Sequence, residues 1–228
     1  MKRKLVSLIA VLAIVIFGGC YSMSTYQTAD TVPEGKFSGG VGFSTLQMDT
    51  SSDTDSTAED VANSFLGGFQ MLELFFRYGI ADNMDIGFKL YSSNLALDFK
   101  WRMLPRESMF RAAINAGAVY TSLIFTSGWG VYVNAILDFT PAKWITIYFG
   151  PKYMYTHYNI DFDESSDSDG IFPEHYYGGF IGISLNFGKL SLRPEVSFYK
   201  IAFNLNDINT STDEGYLFQP GIALNFGY

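Results

Sequence analysis

Gln219-Pro220-Gly221-Ile222-Ala223-Leu224-Asn225-Phe226-Gly227-Tyr228 is the stretch on which the fold turns. Ile222, Leu224, Phe226 and Tyr228 alternate with small or polar residues, and the sequence stops on the aromatic. A period of two places these four side chains on one face of a strand. Chain ends are ordinarily frayed and polar, so an apolar strand at this position is uncommon in a soluble domain.

The same alternation recurs upstream. In the segment 95–103, Leu95, Leu97, Phe99, Trp101 and Met103 face one way and Ala96, Asp98, Lys100 and Arg102 the other. In 65–78, Leu72, Leu74, Phe76 and Tyr78 oppose Glu73, Phe75 and Arg77; between Asn83 and Ser92, Ile86, Phe88 and Leu90 oppose Asp85, Gly87 and Lys89. Further strands are expected near 35–48, 109–121, 129–139, 144–158, 175–187 and 190–203, and after Glu214, which makes ten. Their connections run long, short, short, short, medium, short, long, short, long. Every even-numbered connection is tight and every long one is odd-numbered. An up-and-down transmembrane β-barrel with both ends on the short-turn side predicts this parity. A β-sandwich predicts none, although its strands also show one polar and one apolar face.

Gln219, Gly221, Leu224, Phe226 and the terminal Tyr228 resemble the signal strand by which bacterial outer-membrane β-barrels are recognised for assembly. The resemblance covers these residues alone. It implies an all-β, ten-stranded antiparallel barrel in the bacterial outer membrane, with outer-membrane lipids and the barrel-assembly machinery as partners. At the other end Lys2, Arg3 and Lys4 precede an apolar run, 5–17, broken only by Ser7. This reads as an export signal, too short to span a bilayer comfortably. Cys20 is the only cysteine, which excludes an intrachain disulfide. Gly18-Gly19-Cys20 resembles the lipobox of bacterial lipoproteins, which implies diacylglycerol on the Cys20 thiol; Phe17 stands where leucine is usual. Ordinary cleavage near Ser22 or Ser24 is the alternative. The expected organisation is a signal peptide at 1–19, a lipidated tether at 20–34 and a barrel at 35–228.

Composition agrees. Without the signal's three bases, 12 of the 15 basic residues remain against 23 acidic ones, a net charge of about −11, which argues against nucleic acid as a partner. Beyond the signal no apolar run is long enough for a transmembrane helix. Aromatic residues make up 17 % of the chain and fall at two heights. Tyr78, Trp101, Phe139, Trp144, Phe187 and Tyr228 adjoin the short turns. Tyr91, Tyr120, Trp129, Tyr153, Tyr155, Tyr158, Tyr176, Tyr177 and Tyr216 adjoin the long loops. Two belts of this kind match the interfacial girdles of membrane barrels; cross-strand pairs in a soluble sheet are the other account. Pro151, Pro194 and Pro220 fall inside expected strands, where each removes a ladder donor; bulges, or places where the barrel's upper part flares, are expected there, and at Pro220 a local break in the closing seam.

The pleat points a set of charges inward: the acids Glu73, Asp85, Asp98, Asp138 and Glu195, and the bases Arg77, Lys89, Lys100, Arg102, Arg111, Lys152 and Arg193. Buried unpaired they would be costly, so an ion-pair network or water must meet them. Two interiors follow: a plugged or very narrow one, favoured by the small strand number, or a thin water path whose surplus of bases favours anions. The loops 49–64 and 159–174 are acidic, without a base, but their spacing matches no calcium loop and reads as solvated surface. His157 and His175 flank the second loop. A rim hydrolase would draw on them, yet the register points both outward among tyrosines and no nucleophile is placed by a motif. No motif calls for a metal or other cofactor. The expected function is that of a non-enzymatic membrane barrel with a structural or surface-interaction role, with a narrow pore as the alternative.

Overall fold

The computed structural model describes residues 22–49, 69–91, 94–123, 126–160, 170–203 and 214–227. Ten strands form: β1 (Phe37–Asp49), β2 (Phe69–Ala81), β3 (Met84–Tyr91), β4 (Asn94–Arg102), β5 (Phe110–Leu123), β6 (Thr126–Ala142), β7 (Ile145–Ile160), β8 (Gly170–Phe187), β9 (Leu190–Phe203) and β10 (Glu214–Gly227). Each pairs antiparallel with its chain neighbours, and β10 closes on β1 from Ser38↔Gly227 to Asp49↔Tyr216. The ten-stranded up-and-down barrel expected from the alternation is the fold. Cys20, Tyr228 and nearly all of the acidic loop residues lie outside the described residues.

Burial is inverted relative to a soluble protein. On β4 the inward residues Asn94, Ala96, Asp98, Lys100 and Arg102 are 2–7 % exposed, whereas Leu97, Phe99 and Trp101 on the other face are 58 %, 41 % and 42 % exposed. The same apolar outer face continues around the barrel through Leu74, Val131, Phe149, Ile181, Phe198 and Leu224. A continuous apolar band over a charged interior suits hydrocarbon outside and polar contacts inside.

Two expectations change. Of the aromatics assigned to the belts, Tyr78, Trp101, Trp144 and Phe187 at the short-turn end and Tyr120, Trp129, Tyr177 and Tyr216 at the loop end do face outward. Tyr91 and Tyr176 do not: they are 2 % and 6 % exposed inside the barrel. Tyr91 is in phase with Asp85 and Lys89 on β3, and a period of two carries it inward whatever its height. The prolines make no bulges. Ladder pairs are interrupted beside Pro151 (between Asn134↔Lys152 and Leu137↔Phe149), Pro194 (between Gly182↔Glu195 and Leu185↔Leu192) and Pro220 (between Ser44↔Gly221 and Gln47↔Phe218), but the register is the same on both sides of each gap. Each proline pairs normally with its other neighbour, opposite Gly179, Ile222 and Val196 respectively. One seam loses bonds and the strand stays straight in register. The register shifts instead lie at turn ends, at Gly79/Ala81 and Phe139/Ala142.

The largest difference concerns the segment before β1. Within the stretch expected as a tether at 20–34, residues 22–32 run inside the barrel. Ser22, Met23, Ser24, Thr25, Tyr26, Thr28, Ala29, Thr31 and Val32 are all buried. The segment ends in a turn at 33–36, where the Lys36 amide donates to the Pro33 carbonyl at 3.0 Å and Gly35 takes φ 71°. Glycine at that position is what a type II turn requires. The turn, pinned to the Gly79 backbone by two hydrogen bonds, reverses the chain from the lumen into the wall.

Candidate functional site: a lumen threaded by its own chain

The segment carries no apolar periodicity. Its polar residues and open backbone groups, otherwise orphaned in the interior, are met by the charges that the pleat turns inward. At its upper level Glu73 accepts from the Ser22, Ser24 and Ser44 hydroxyls at 2.6–2.8 Å and pairs with Lys89 at 2.5 Å. Lys89 also donates to the Ser24 carbonyl at 2.8 Å and lies 5.1 Å from the centre of the Tyr91 ring, an inward use for that aromatic. Gln219 accepts from the Met23 amide at 2.7 Å and donates to Ser44 at 2.7 Å. Lys152 and the Tyr199 hydroxyl both donate to the Met23 carbonyl, at 2.9 and 3.0 Å.

At mid-height the chain turns sharply. Tyr26 has φ 48°, a left-handed conformation unfavourable for a bulky residue. This presents the Thr25 and Tyr26 amides together to Glu195, which accepts both at 2.5 Å and also accepts from Tyr148 at 3.1 Å. Arg193 donates to the Tyr26 carbonyl at 2.8 Å. The Tyr26 ring lies against two inward glycines, Gly42 and Gly221; a side chain at either would overlap it.

Towards the short turns Asp85 accepts from the Val32 amide at 2.8 Å and from Arg77, which also pairs with Asp98 at 2.7 Å. Lys100, 3.6 Å from Asp85, donates to the Thr28 and Asp30 carbonyls at 3.2 and 2.6 Å. The Asp30 carboxylate is held by Arg102 at 2.5 Å, Arg106 at 3.1 Å and Arg111 at 3.7 Å, and Arg111 reaches Asp138 at 3.2 Å.

All twelve charges assigned to the interior therefore lie there, but they form no single ring. Arg77, Asp85, Asp98 and Lys100 make one group, Glu73 and Lys89 another, and Arg111 and Asp138 a third. Glu195, Lys152, Arg193 and Arg102 are directed chiefly at the segment. Sequence reasoning missed Asp30, Arg106, Tyr26 and the serines at 22 and 24. Two signals pointed to them: seven inward bases against five acids, which call for a further acid and carbonyls, and the small residues at Gly42 and Gly221, which leave room for a side chain from elsewhere. Of the residues assigned to the assembly signal, Leu224 and Phe226 face outward, while Gln219 and Gly221 contact the segment.

Both histidines sit in the outer aromatic layer. The His175 Nδ1 is 2.9 Å from the Tyr153 hydroxyl and its ring packs on Tyr155 and Tyr177; His157 stacks on Trp129. Among the described residues no group of three or more metal-ligating side chains occurs.

No protein-family model and no curated protein matches the chain. Solved structures do. The outer-membrane protease OmpT of Escherichia coli aligns over 90 % of this chain and 100 % of its own, at 10 % identity and TM-score 0.48. Neisserial surface protein A aligns over 86 % and 100 %, at 12 % identity and TM-score 0.41. The outer-membrane protein OprG of Pseudomonas aeruginosa aligns over 89 % and 99 %, at 13 % identity and TM-score 0.32. Each of the three is a bacterial outer-membrane protein, and the closed antiparallel β-barrel of this chain rests on its own strand pairing.

Proposed function

We propose that the protein is a non-enzymatic outer-membrane barrel, closed by its own N-terminal segment, with a structural or surface-interaction role in the membrane. The observation that carries this reading is the occupied lumen. Residues 22–32 are held at three levels by ion pairs and by hydrogen bonds to their own backbone, so a water path would have to displace them. In this reading the short-turn end, with the 33–36 turn, faces the periplasm. Outer-membrane lipids surround the apolar band, and the barrel-assembly machinery acts on β10. The packing of both histidines among aromatic rings supports a non-catalytic rim.

Planar-bilayer recording of the refolded full chain tests the proposal. A silent bilayer, with folding verified by heat-modifiable migration in gels, is the expected result. Discrete openings of the unaltered protein would overturn it and support the second reading, a narrow pore. The surplus of wall bases favours that alternative, since they would select anions once the segment withdrew.

A further inference from the structure

At the short-turn end the segment leaves a vestibule beside it. This cavity, of about 350 Å³, opens between residues 28–30, the β6–β7 and β8–β9 turns and the end of β10. Its lining contains four bases, Arg111, Lys143, Lys189 and Arg193, and one acid, Asp30. That acid is already shared among Arg102, Arg106 and Arg111, the last of which also pairs with Asp138, so it does not balance the two rim lysines. The protein as a whole is acidic, with a formal net charge of −8. A basic mouth on an acidic chain is a local arrangement that general solubility does not call for.

Two donors in the same lining are buried without a hydrogen-bond partner among the described residues: the Arg111 Nε and the Asn225 Nδ2. Asn225 is 5 % exposed. A buried donor without an acceptor is destabilising, and an oxyanion beside β9 and β10 would supply one to Asn225 while the rim lysines approach it from the turns; Arg111 stands on β5, five strands round the barrel from β10. Lys143 and Lys189 are exposed and act as point charges; the Arg111 and Arg193 forks are engaged, by Asp138 and Thr140 and by the Tyr26 carbonyl and Ser184 respectively, and add positive charge from behind. Hydroxyls of Thr28, Ser38, Thr140, Thr146 and Ser191 also line it. One side of the same cavity is bordered by Leu190 and Phe226, which lie on the apolar outer face at 47 % and 51 % exposure.

We propose that this vestibule binds a phosphate oxyanion, supplied as the headgroup of an anionic phospholipid whose acyl chains lie along Leu190 and Phe226. Free phosphate has the same chemistry, and the test separates the two sources. Only the lipid source rests on the membrane reading above; the phosphate arm runs in detergent and stands or falls without it.

The folded full chain in nonionic detergent is exchanged into mixtures of phosphatidylglycerol and phosphatidylcholine, and retained lipid is read by native mass spectrometry. In parallel the protein is titrated with inorganic phosphate, read by the side-chain amide resonance of Asn225. The comparison protein is K143E/K189E, whose changes lie on exposed turns and whose folding is checked by heat-modifiable migration. Preferential retention of phosphatidylglycerol, reduced roughly tenfold in the variant, supports the headgroup site. A phosphate-induced shift at Asn225 that the variant weakens, without lipid preference, supports the site with free phosphate as its source and overturns the headgroup assignment. Equal retention of both lipids with an unmoved Asn225 resonance overturns the proposal. So does a variant that retains lipid and responds to phosphate as the unaltered protein does.

Discussion

The Tyr26 hydroxyl lies 1.8 Å from the position that a β-carbon on Gly221 would occupy. The closing strand and the internal segment are thus fitted to each other at one atom. Gly221→Ala is expected to push Tyr26 out of its seat at a cost of about 1–3 kcal/mol and to give bilayer openings absent from the unaltered protein. Gly215→Ala, where the nearest atom stands at 3.8 Å, is the neutral control. Tyr26→Ala in the same chain as Gly221→Ala should cost less than the two changes summed, because each removes what the other collides with. Strict additivity in urea unfolding would show that Tyr26 does not occupy the space beside Gly221.

Asp30 is the segment's own contribution to the charge balance. Asp30→Asn leaves Arg102 and Arg111 facing one another in the interior, and breaking a buried pair in this way costs about 3 kcal/mol or more. Arg106→Ala should cost under about 1 kcal/mol, because its side chain is 32 % exposed and water replaces the contact. Urea midpoints of the folded barrel check both, and equal effects would argue that Asp30 is not seated among the arginines. Arg102→Glu sets a carboxylate against Asp30 and is expected to expel the lower half of the segment, making residues 22–33 accessible to protease in liposomes.

The strands, their facings and the barrel were legible because the pleat is a local property. Alternation over 95–102 suffices to place Asp98, Lys100 and Arg102 on one face and Trp101 on the other. The inward position of Tyr91 was legible by the same rule, but sorting aromatics by height set it aside. The prolines misled only where a missing donor was equated with an extra residue; the local break in the closing seam expected at Pro220 is present, two ladder positions being skipped without any slip of register. The segment was not legible. It has no period, and its partners are distant in sequence: Met23 meets Lys152 across 129 residues and Gln219 across 196. Only the closed barrel brings those partners together, so a stretch of serines and threonines before a Pro-Glu-Gly-Lys turn looks like a linker until the wall is in place.

Removal of residues 22–32, with the turn at 33–36 retained, exposes a wall carrying seven bases and five acids. The expected result is a small conductance that prefers anions, measured as a reversal potential in a potassium chloride gradient. A synthetic peptide of residues 22–32 added from the short-turn side should silence it, whereas a scrambled peptide should not. The wall binds backbone amides at fixed heights through Gln219, Glu195 and Asp85, but Tyr26 and Asp30 set the register. Block by the scrambled peptide at equal concentration would mean that any extended chain suffices.

If the export signal expected at 1–19 is removed, the site of cleavage decides how the segment is held at its upper end. Ser22 and Ser24 both donate to Glu73, so cleavage between or beyond them would remove a hydroxyl that Glu73 uses and place a new ammonium beside the Glu73–Lys89 pair. Lipid attachment at Cys20 leaves both serines in the chain. It also confines the start of the acyl chains, because two residues of extended backbone reach only about 7 Å from Ser22. Intact-mass measurement of protein from outer membranes separates the cases. The expected result is a chain beginning at Cys20 with diacylglycerol mass, whose fatty-acid label disappears in Cys20→Ala. An unlabelled chain beginning at Ser24 would refute lipidation. In that case Glu73→Gln should destabilise the barrel more than in the lipidated chain, since both Lys89 and the new terminus would lose their carboxylate.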